Sequence, residues 1–546
     1  MSKVKITSKN AKLIISLSLI FFTSLLIRLI GLNQSLWLDE ATTARVVQEY
    51  GFTQIVSGFS PNDFHPPLYY LFMKVWTNIF GYSEIALRMP SVIFSLLTGY
   101  VVYLIGKKLF NNDSGLASLT RMTKSQLFGL WAAAFFLFNP LIVYYSQEAR
   151  MYMMTTFFLT LALWSFWGVP LSGTTPESNN DSGFIPSERV FRASLQGEPF
   201  RASLQDEPEG FIPRIHPEGR ARSSLARMTN RSRNPSIKLR VNKFGMTKAL
   251  IMFNLFSILA FVTFYGSIFL IIPILIYLLI KKQYSFFLAT CFLLLTTLLI
   301  MFPLLSRQIN NAKSQIQLVP NWGLVLGKTN LKNLLLIPLK FSIGRISFYP
   351  KWLYWGVSGL WTLLVFLFTL KGGLINKFLL FLVIGSLGFG ILFSFFTPLL
   401  QYFRFLYLIP IMSILLSLGW DKFHLRGGKW LVLTGFILFS LLYLLNPNFQ
   451  REDWRSLAKA LPANRNIYMV YSTSDPIRYY RREMQIVDLK SVPDLGCLDS
   501  ELIVIPYTAD IHGIDYQKIL SERNFKLTKK QVFRALTVET WNYSSL

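Results

Sequence analysis

Long apolar runs separated by short basic segments constrain this chain more than any other feature. After Lys12 one run continues through Ile30, and others read at about 89–106, 127–145, 152–170, 249–264, 265–280, 284–303, 352–370, 378–396, 403–419 and 430–446. A helix needs roughly 20 residues to cross the bilayer core. Only helices or closed barrels satisfy the backbone in lipid, and these runs lack the alternation of a barrel strand. With 52% hydrophobic and 16% aromatic residues, the chain reads as a polytopic α-helical membrane protein of about 11 spans. The pair at 249–280 reads equally well as a hairpin, because each half is short.

The formal charge of +27 invites a nucleic-acid partner, but its distribution argues against one. Lys107 and Lys108 with Arg121 and Lys124, the Arg-rich stretch 171–247, Lys281 and Lys282, Lys371 with Lys377, and Lys422 with Arg426 and Lys429 fall between alternate runs. The positive-inside rule places those segments in the cytoplasm with the Lys-rich N-terminus. The first run has no small-x-small site after it, so it reads as an uncleaved span rather than a signal peptide. The C-terminal hundred residues then lie outside a multi-pass protein of the cytoplasmic (inner) membrane. The two cysteines, Cys291 and Cys497, make no plausible disulfide.

This topology divides the chain into a membrane domain, 1–446, and an outer C-terminal domain, 447–546. The first outer loop, 32–88, has helical periodicity at Ala41–Tyr50 and Leu68–Phe80; a second outer loop spans 304–350. Short strand-like runs at 466–471 and 501–505, alternating with helix-like stretches, predict a small α/β fold for the C-terminal domain. Within 171–247, Phe-Arg-Ala-Ser-Leu-Gln occurs at 191–196 and again at 200–205, and Gly-Phe-Ile-Pro at 183–186 and 210–213. Its Ser, Pro, Arg and Glu content cannot bury enough apolar surface to offset chain entropy, so it reads as a disordered cytoplasmic insertion.

The distinctive polar groups all fall on the outer side. Asp39 and Glu40 follow the first span, and His65 stands before Pro66 and Pro67 in the same loop. Arg88 opens the second span, Glu148 and Arg150 lie in the turn after the third, Lys340 is in the second loop, and Arg404 opens the tenth span. Arg28 lies inside the first span, where a guanidinium needs a partner. Carboxylates and arginines at one membrane-level pocket suit transfer from a lipid phosphate. Arginines grip the phosphate, and a carboxylate takes the proton of an acceptor hydroxyl. Each group also has a plainer use: Asp39 and Glu40 as helix-start residues, Arg88, Lys340 and Arg404 as snorkelling cations, and His65 as a turn residue.

The ordered combination is more specific. Leu-Trp-Leu-Asp-Glu-Ala at 36–41, His-Pro-Pro-Leu-Tyr-Tyr at 65–70, Glu-Ile-Ala-Leu-Arg-Met-Pro-Ser at 84–91, Tyr-Ser-Gln-Glu-Ala-Arg-Met-Tyr at 145–152 and Glu-Asp-Trp-Arg at 452–455 resemble the bacterial GT-C membrane glycosyltransferases related to protein O-mannosyltransferases (glycosyltransferase family 39). The resemblance runs to about residue 460, apart from the insertion. It implies a GT-C-like fold and a polyprenyl-phosphate monosaccharide donor. The acceptor would be an envelope glycolipid, polysaccharide or protein, and anomeric inversion would occur on the outer face. It implies that Asp39, with Glu40 beside it, is the catalytic acid residue, that His65, Glu148 and Arg150 line the pocket, and that Arg404 meets the lipid phosphate. Relatives often carry Thr-His-Tyr where this chain has Thr263-Phe264-Tyr265, which leaves use of a divalent metal open. The alternatives are a lipid or polysaccharide transporter or flippase, an oligosaccharide ligase, and a noncatalytic envelope scaffold.

Overall fold

The structure, a computed structural model, describes residues 8–109, 124–166, 235–422, 427–494 and 499–544. Most of the repeat-bearing insertion, and Cys497 with it, lies outside the described residues. Residues 235–247 open the helix Pro235–Phe261.

Among the described residues seven helices are long and apolar enough to cross a membrane: Ala11–Leu29, Glu84–Leu109, Tyr284–Leu318, Lys351–Ile375, Lys377–Ser394, Tyr402–Asp421 and Gly428–Leu445. A bent pair, Lys124–Leu137 and Pro140–Ser146, makes an eighth, and three shorter apolar helices are Tyr152–Phe166, Lys248–Phe261 and Tyr265–Ile280. Every apolar run read from the sequence therefore carries an apolar helix. Side chains such as Phe292, Ile300 and Leu360 stand exposed on these helices, as lipid-facing positions must.

Two departures from the expected spans shape the outer surface. The third span is broken by 62° at Asn139-Pro140, because proline supplies no N–H and its ring crowds the preceding turn. The Asn139 amide oxygen accepts from the N–H groups of Leu141 and Ile142 at 3.0 and 3.2 Å, and its nitrogen donates to the Phe341 carbonyl at 2.8 Å. The break is thus capped and tied to the outer helix Leu331–Ile343. The second outer loop also starts as helix, since Tyr284–Leu318 is 35 residues long, about 52 Å at 1.5 Å per residue. That exceeds the bilayer core of about 30 Å. Its outer end reaches the first loop, where Gln308 donates to the carbonyls of Ser60 (2.8 Å) and His65 (3.1 Å).

Two spans cross at backbone contact. A Cβ on Gly372 would lie 1.8 Å from the Leu415 carbonyl oxygen, and one on Gly419 would lie 1.8 Å from that of Phe368. Trp420 stacks on Phe368 beside them, with centroids 3.5 Å apart.

The C-terminal domain, 447–546, carries a five-stranded sheet in the order β2-β1-β3-β5-β4. The strands are β1 Ile467–Met469, β2 Ile486–Asp488, β3 Glu501–Val504, β4 Phe525–Phe533 and β5 Leu536–Tyr543. β1 pairs in parallel with β2 and β3, whereas β5 is antiparallel to β3 and β4. Alternation sends Ile467, Met469 and Ile503 to one core with Trp454, and Tyr468, Leu502 and Val504 to the other with Trp541, the period-two consequence of the pleat.

This domain is bolted to the first outer loop. The Leu36 N–H donates to the Tyr480 hydroxyl at 2.9 Å, and Thr42 donates to Asp475 at 2.7 Å. Arg455 reaches Glu84 at 2.5 Å and the Asn33 carbonyl at 2.6 Å.

Candidate active site

Asp39 and Glu40 occupy the first turn of the helix Leu38–Glu49, where partial positive charge favours carboxylates. Successive helical residues point about 100° apart, and the two carboxylates meet different surroundings. Glu40 is fully buried. It accepts from Arg88 at 2.8 and 2.5 Å, from the Ala149 N–H at 2.8 Å and from the Trp37 N–H at 3.4 Å. Arg88 also donates to the carbonyls of Leu32, Gln34 and Ser35 at 2.9, 2.7 and 3.0 Å. All three guanidinium nitrogens are thus engaged by Glu40 or by the loop backbone.

These contacts bear on two expectations. Glu40, expected beside Asp39 as a reactive carboxylate, and Arg88, expected as a substrate-binding cation, are instead both buried and bonded to each other and to the start of the first loop. Arg28, expected to meet substrate, is placed similarly. It is fully buried and bonds Ser95 at 2.8 Å, the Leu137 carbonyl at 2.8 Å and the Ser24 carbonyl at 3.1 Å. Neutral oxygens of three helices therefore supply its partners, and it joins those helices.

Asp39 differs. Its side chain is 38% exposed and faces Arg150 at 3.6 Å. Arg150, itself buried, also reaches the Tyr70 hydroxyl at 3.4 Å, and one of its donors, Nε, has no protein partner. Asp63 lies within electrostatic reach of the same guanidinium. Although burial works the other way, His65 and Arg150 hold the Asp63 carboxyl below its usual range. His65 Nδ1 lies 3.1 Å from Asp63.

An aromatic train joins His65 to the cations of the second loop. His65 stacks on Phe264 at 6.4 Å, Phe264 meets Tyr152 edge-on at 6.1 Å, and Tyr152 meets Phe403 at 5.5 Å. Phe403 neighbours Arg404, and Tyr145 lies between Phe403 (6.3 Å) and Tyr144 (4.9 Å). Tyr144 carries Arg345 over its ring at 4.9 Å and accepts from it at 2.5 Å. Lys340 donates to the Ile346 carbonyl and the Tyr354 hydroxyl, each at 3.1 Å. Burial lowers the Lys340 pKa to about 7, with Arg345 and Lys351 pushing the same way. Arg404 donates to the Leu326 carbonyl at 3.2 Å. Among the described residues Lys340, Arg345 and Arg404 have no carboxylate within ion-pair distance, although Glu148 lies within electrostatic reach of Arg345, so this corner of the site is rich in positive charge.

Glu148 is buried and paired with Arg451, which stacks on Trp37 at 3.7 Å. Burial raises the Glu148 carboxyl to about 7 despite Arg451. A small cavity is lined by Glu148, Gln147, Gln34 and Trp37; Glu148 Oε2, Gln147 Oε1, Gln34 Nε2 and Trp37 Nε1 all lack protein partners. Among the described residues no group of three His, Cys, Asp or Glu side chains is placed to hold a metal ion. Phe264 fills the position beside His65, so the residues present do not fit a metal centre there.

Asp63, Arg345 and Arg451 were not singled out by sequence reasoning. Asp63 stands two residues before His65, and Arg451 directly precedes the Glu452–Arg455 motif, so proximity to a motif was the available signal. Arg345 stood out no more than the other cations of the second loop.

Residues 64–169 match the family model described as dolichyl-phosphate-mannose-protein mannosyltransferase, a stretch that includes His65, Arg88, Glu148 and Arg150. The structure superposes on that of ArnT from Cupriavidus metallidurans in the apo state with a TM-score of 0.52 at 12% identity, over 97% of each chain. The architecture is the GT-C fold. The same ArnT bound to undecaprenyl phosphate gives a TM-score of 0.50 at 12% identity, again over 97% of each chain. A search of curated protein sequences finds no match.

Proposed function

We propose that this protein is an inverting glycosyltransferase of the cytoplasmic membrane that moves a monosaccharide from a polyprenyl phosphate to an envelope acceptor on the outer face. The observation that carries the reading is the division of labour in the first loop. Glu40 is saturated by Arg88, whereas Asp39 keeps an exposed carboxylate beside Arg150. The GT-C fold and the family-model match support the class, and ArnT's complex with undecaprenyl phosphate supports a lipid-phosphate donor here.

In this mechanism Lys340, Arg345 and Arg404 receive the donor phosphate, since none of them has a carboxylate within ion-pair distance. The acceptor hydroxyl oxygen attacks the anomeric carbon as the bond from that carbon to the phosphate oxygen breaks. The departing phosphate keeps the electron pair, and the cations stabilise the developing charge. The hydroxyl proton passes to Asp39. Arg150 holds the carboxylate in place, and His65 and Tyr70 line the sugar side.

The test is sugar transfer from radiolabelled polyprenyl-phosphate sugars in proteoliposomes, wild type beside Asp39→Asn. Loss of transfer by about 10²–10⁴-fold, with polyprenyl phosphate still bound, is expected. Unchanged transfer by Asp39→Asn sinks the assignment of the base. Failure of the wild type to bind polyprenyl phosphate at all sinks the reading.

A further inference from the structure

Next to the site, the C-terminal domain contains an unassigned cleft. It consists of two adjoining hollows that share Pro506 and Thr537, with volumes of about 340 and 600 Å³. The inner hollow is lined by Tyr507 and Phe533. Tyr507 donates to Glu452 at 3.4 Å, packs edge-on against the buried Trp454 at 4.9 Å, and lies within electrostatic reach of Asp39 and Arg451. Arg534, between the lining residues Phe533 and Ala535, donates to the Arg451 carbonyl at 2.7 Å, so the cleft begins beside the Arg451 that pairs with Glu148.

Its outer hollow is walled by the C-terminal domain, with Asn321 of the membrane domain at its rim. Asn321 follows the long helix Tyr284–Leu318. Its side chain donates to the Asp510 carbonyl at 2.8 Å, and its N–H donates to the Ile511 carbonyl at 3.2 Å. Asp510, Gln517 and Lys530 also line this hollow. Lys530 is already paired with the buried Glu539 at 3.0 Å, which leaves the hollow acidic.

We propose that this cleft is the acceptor subsite and that it takes a neutral glycan chain, whose terminal hydroxyl then reaches Asp39. The inference rests on the transferase reading above. Carboxylate and amide groups match the dense hydroxyls of a sugar, and Tyr507 and Phe533 offer aromatic surface to its C–H faces. Clefts with a few convergent polar groups are the common form of a ligand site. A phosphorylated or uronate-rich chain would meet Asp510 and unneutralised acidic surface, which selects against it. A peptide would instead seek strand pairing along β4, whose outward Lys526 and Lys529 obstruct such an edge.

The experiment uses the full chain in lipid nanodiscs and reads saturation transfer to three soluble probes. These are a neutral linear hexasaccharide series, its phosphorylated counterparts and a Ser/Thr-rich peptide. Undecaprenyl phosphate binding is measured in parallel. Binding of a neutral hexasaccharide is expected for wild type and lost in Thr537→Trp, which fills the junction of the hollows. The exposed Asp510→Lys variant should gain binding of the phosphorylated series, a change that misfolding cannot mimic. The proposal is overturned if no neutral probe binds, if Thr537→Trp leaves binding intact, or if wild type prefers the peptide or the phosphorylated probes. Loss of undecaprenyl phosphate binding by wild type would instead refute the transferase reading.

Discussion

Breaking the Glu40–Arg88 clamp should unfold the first loop rather than merely slow the enzyme. Glu40→Gln leaves a guanidinium that is 4% exposed facing a neutral amide, and removing one partner of a buried pair costs about 3–5 kcal/mol. Arg88→Met should cost more. It strands the Glu40 carboxylate with two backbone N–H donors and also deprives the carbonyls of Leu32, Gln34 and Ser35, at about 1 kcal/mol for each one left unsatisfied. The double variant buries no unpaired charge, so its cost should fall short of the sum of the singles by about 2–3 kcal/mol. Equilibrium unfolding in mixed micelles, followed by tryptophan fluorescence, gives all four corners of the cycle. Additivity within about 0.5 kcal/mol would refute the clamp. A Glu40→Gln protein as stable as wild type but without transfer would move the chemistry from Asp39 to Glu40.

Other consequences can be checked with less labour. The Glu148 pKa is raised in the folded protein to about 7, so its contribution to stability is fully present below the ordinary carboxylate range and is lost as pH rises through about 7; thermal unfolding between pH 5 and 8 should slope downward, and Glu148→Gln should flatten that slope. Lys340, lowered to about 7 by burial, must be protonated to hold a phosphate, so the affinity of a polyprenyl phosphodiester, which does not itself titrate there, should fall as pH rises through 7 and lose that dependence in Lys340→Met. Gly419→Val should force apart the two spans that meet at Phe368, at a cost of at least about 1–3 kcal/mol from overpacking, read as a lower unfolding midpoint in the same micelles.

Much of the fold was legible because lipid imposes a single backbone solution. Uniform apolar runs had to be helices, and basic residues between them set the orientation of the reading. Element ends were less legible. The helix Tyr284–Leu318 runs past its apolar part because nothing in Arg307–Gln317 breaks a helix, and the break at Asn139 falls inside what hydropathy reads as one run. At the site, residue type placed Asp39, His65 and Arg404 among the candidates but could not separate Asp39 from Glu40. Their difference comes from rotation about one helix, which only the positions of Arg88 and Ala149 reveal. Arg451 was invisible, and Arg345 stood out no more than the other cations of the second loop, for a related reason: each acquires its setting from partners hundreds of residues away.

That separation has a consequence for how the protein is made. Leu36 and its hydrogen-bond partner Tyr480 are 444 positions apart, and the pair Glu148 and Arg451 are separated by 303. The loop bearing Asp39 is made early in synthesis, yet its braces follow the last apolar helix, Gly428–Leu445. Until then Glu148 waits without its cation, and the loop lacks Arg455 and Tyr480. A chain cut off after the last span would therefore keep its membrane helices but lack every contact that holds the loop bearing Asp39 to the C-terminal domain.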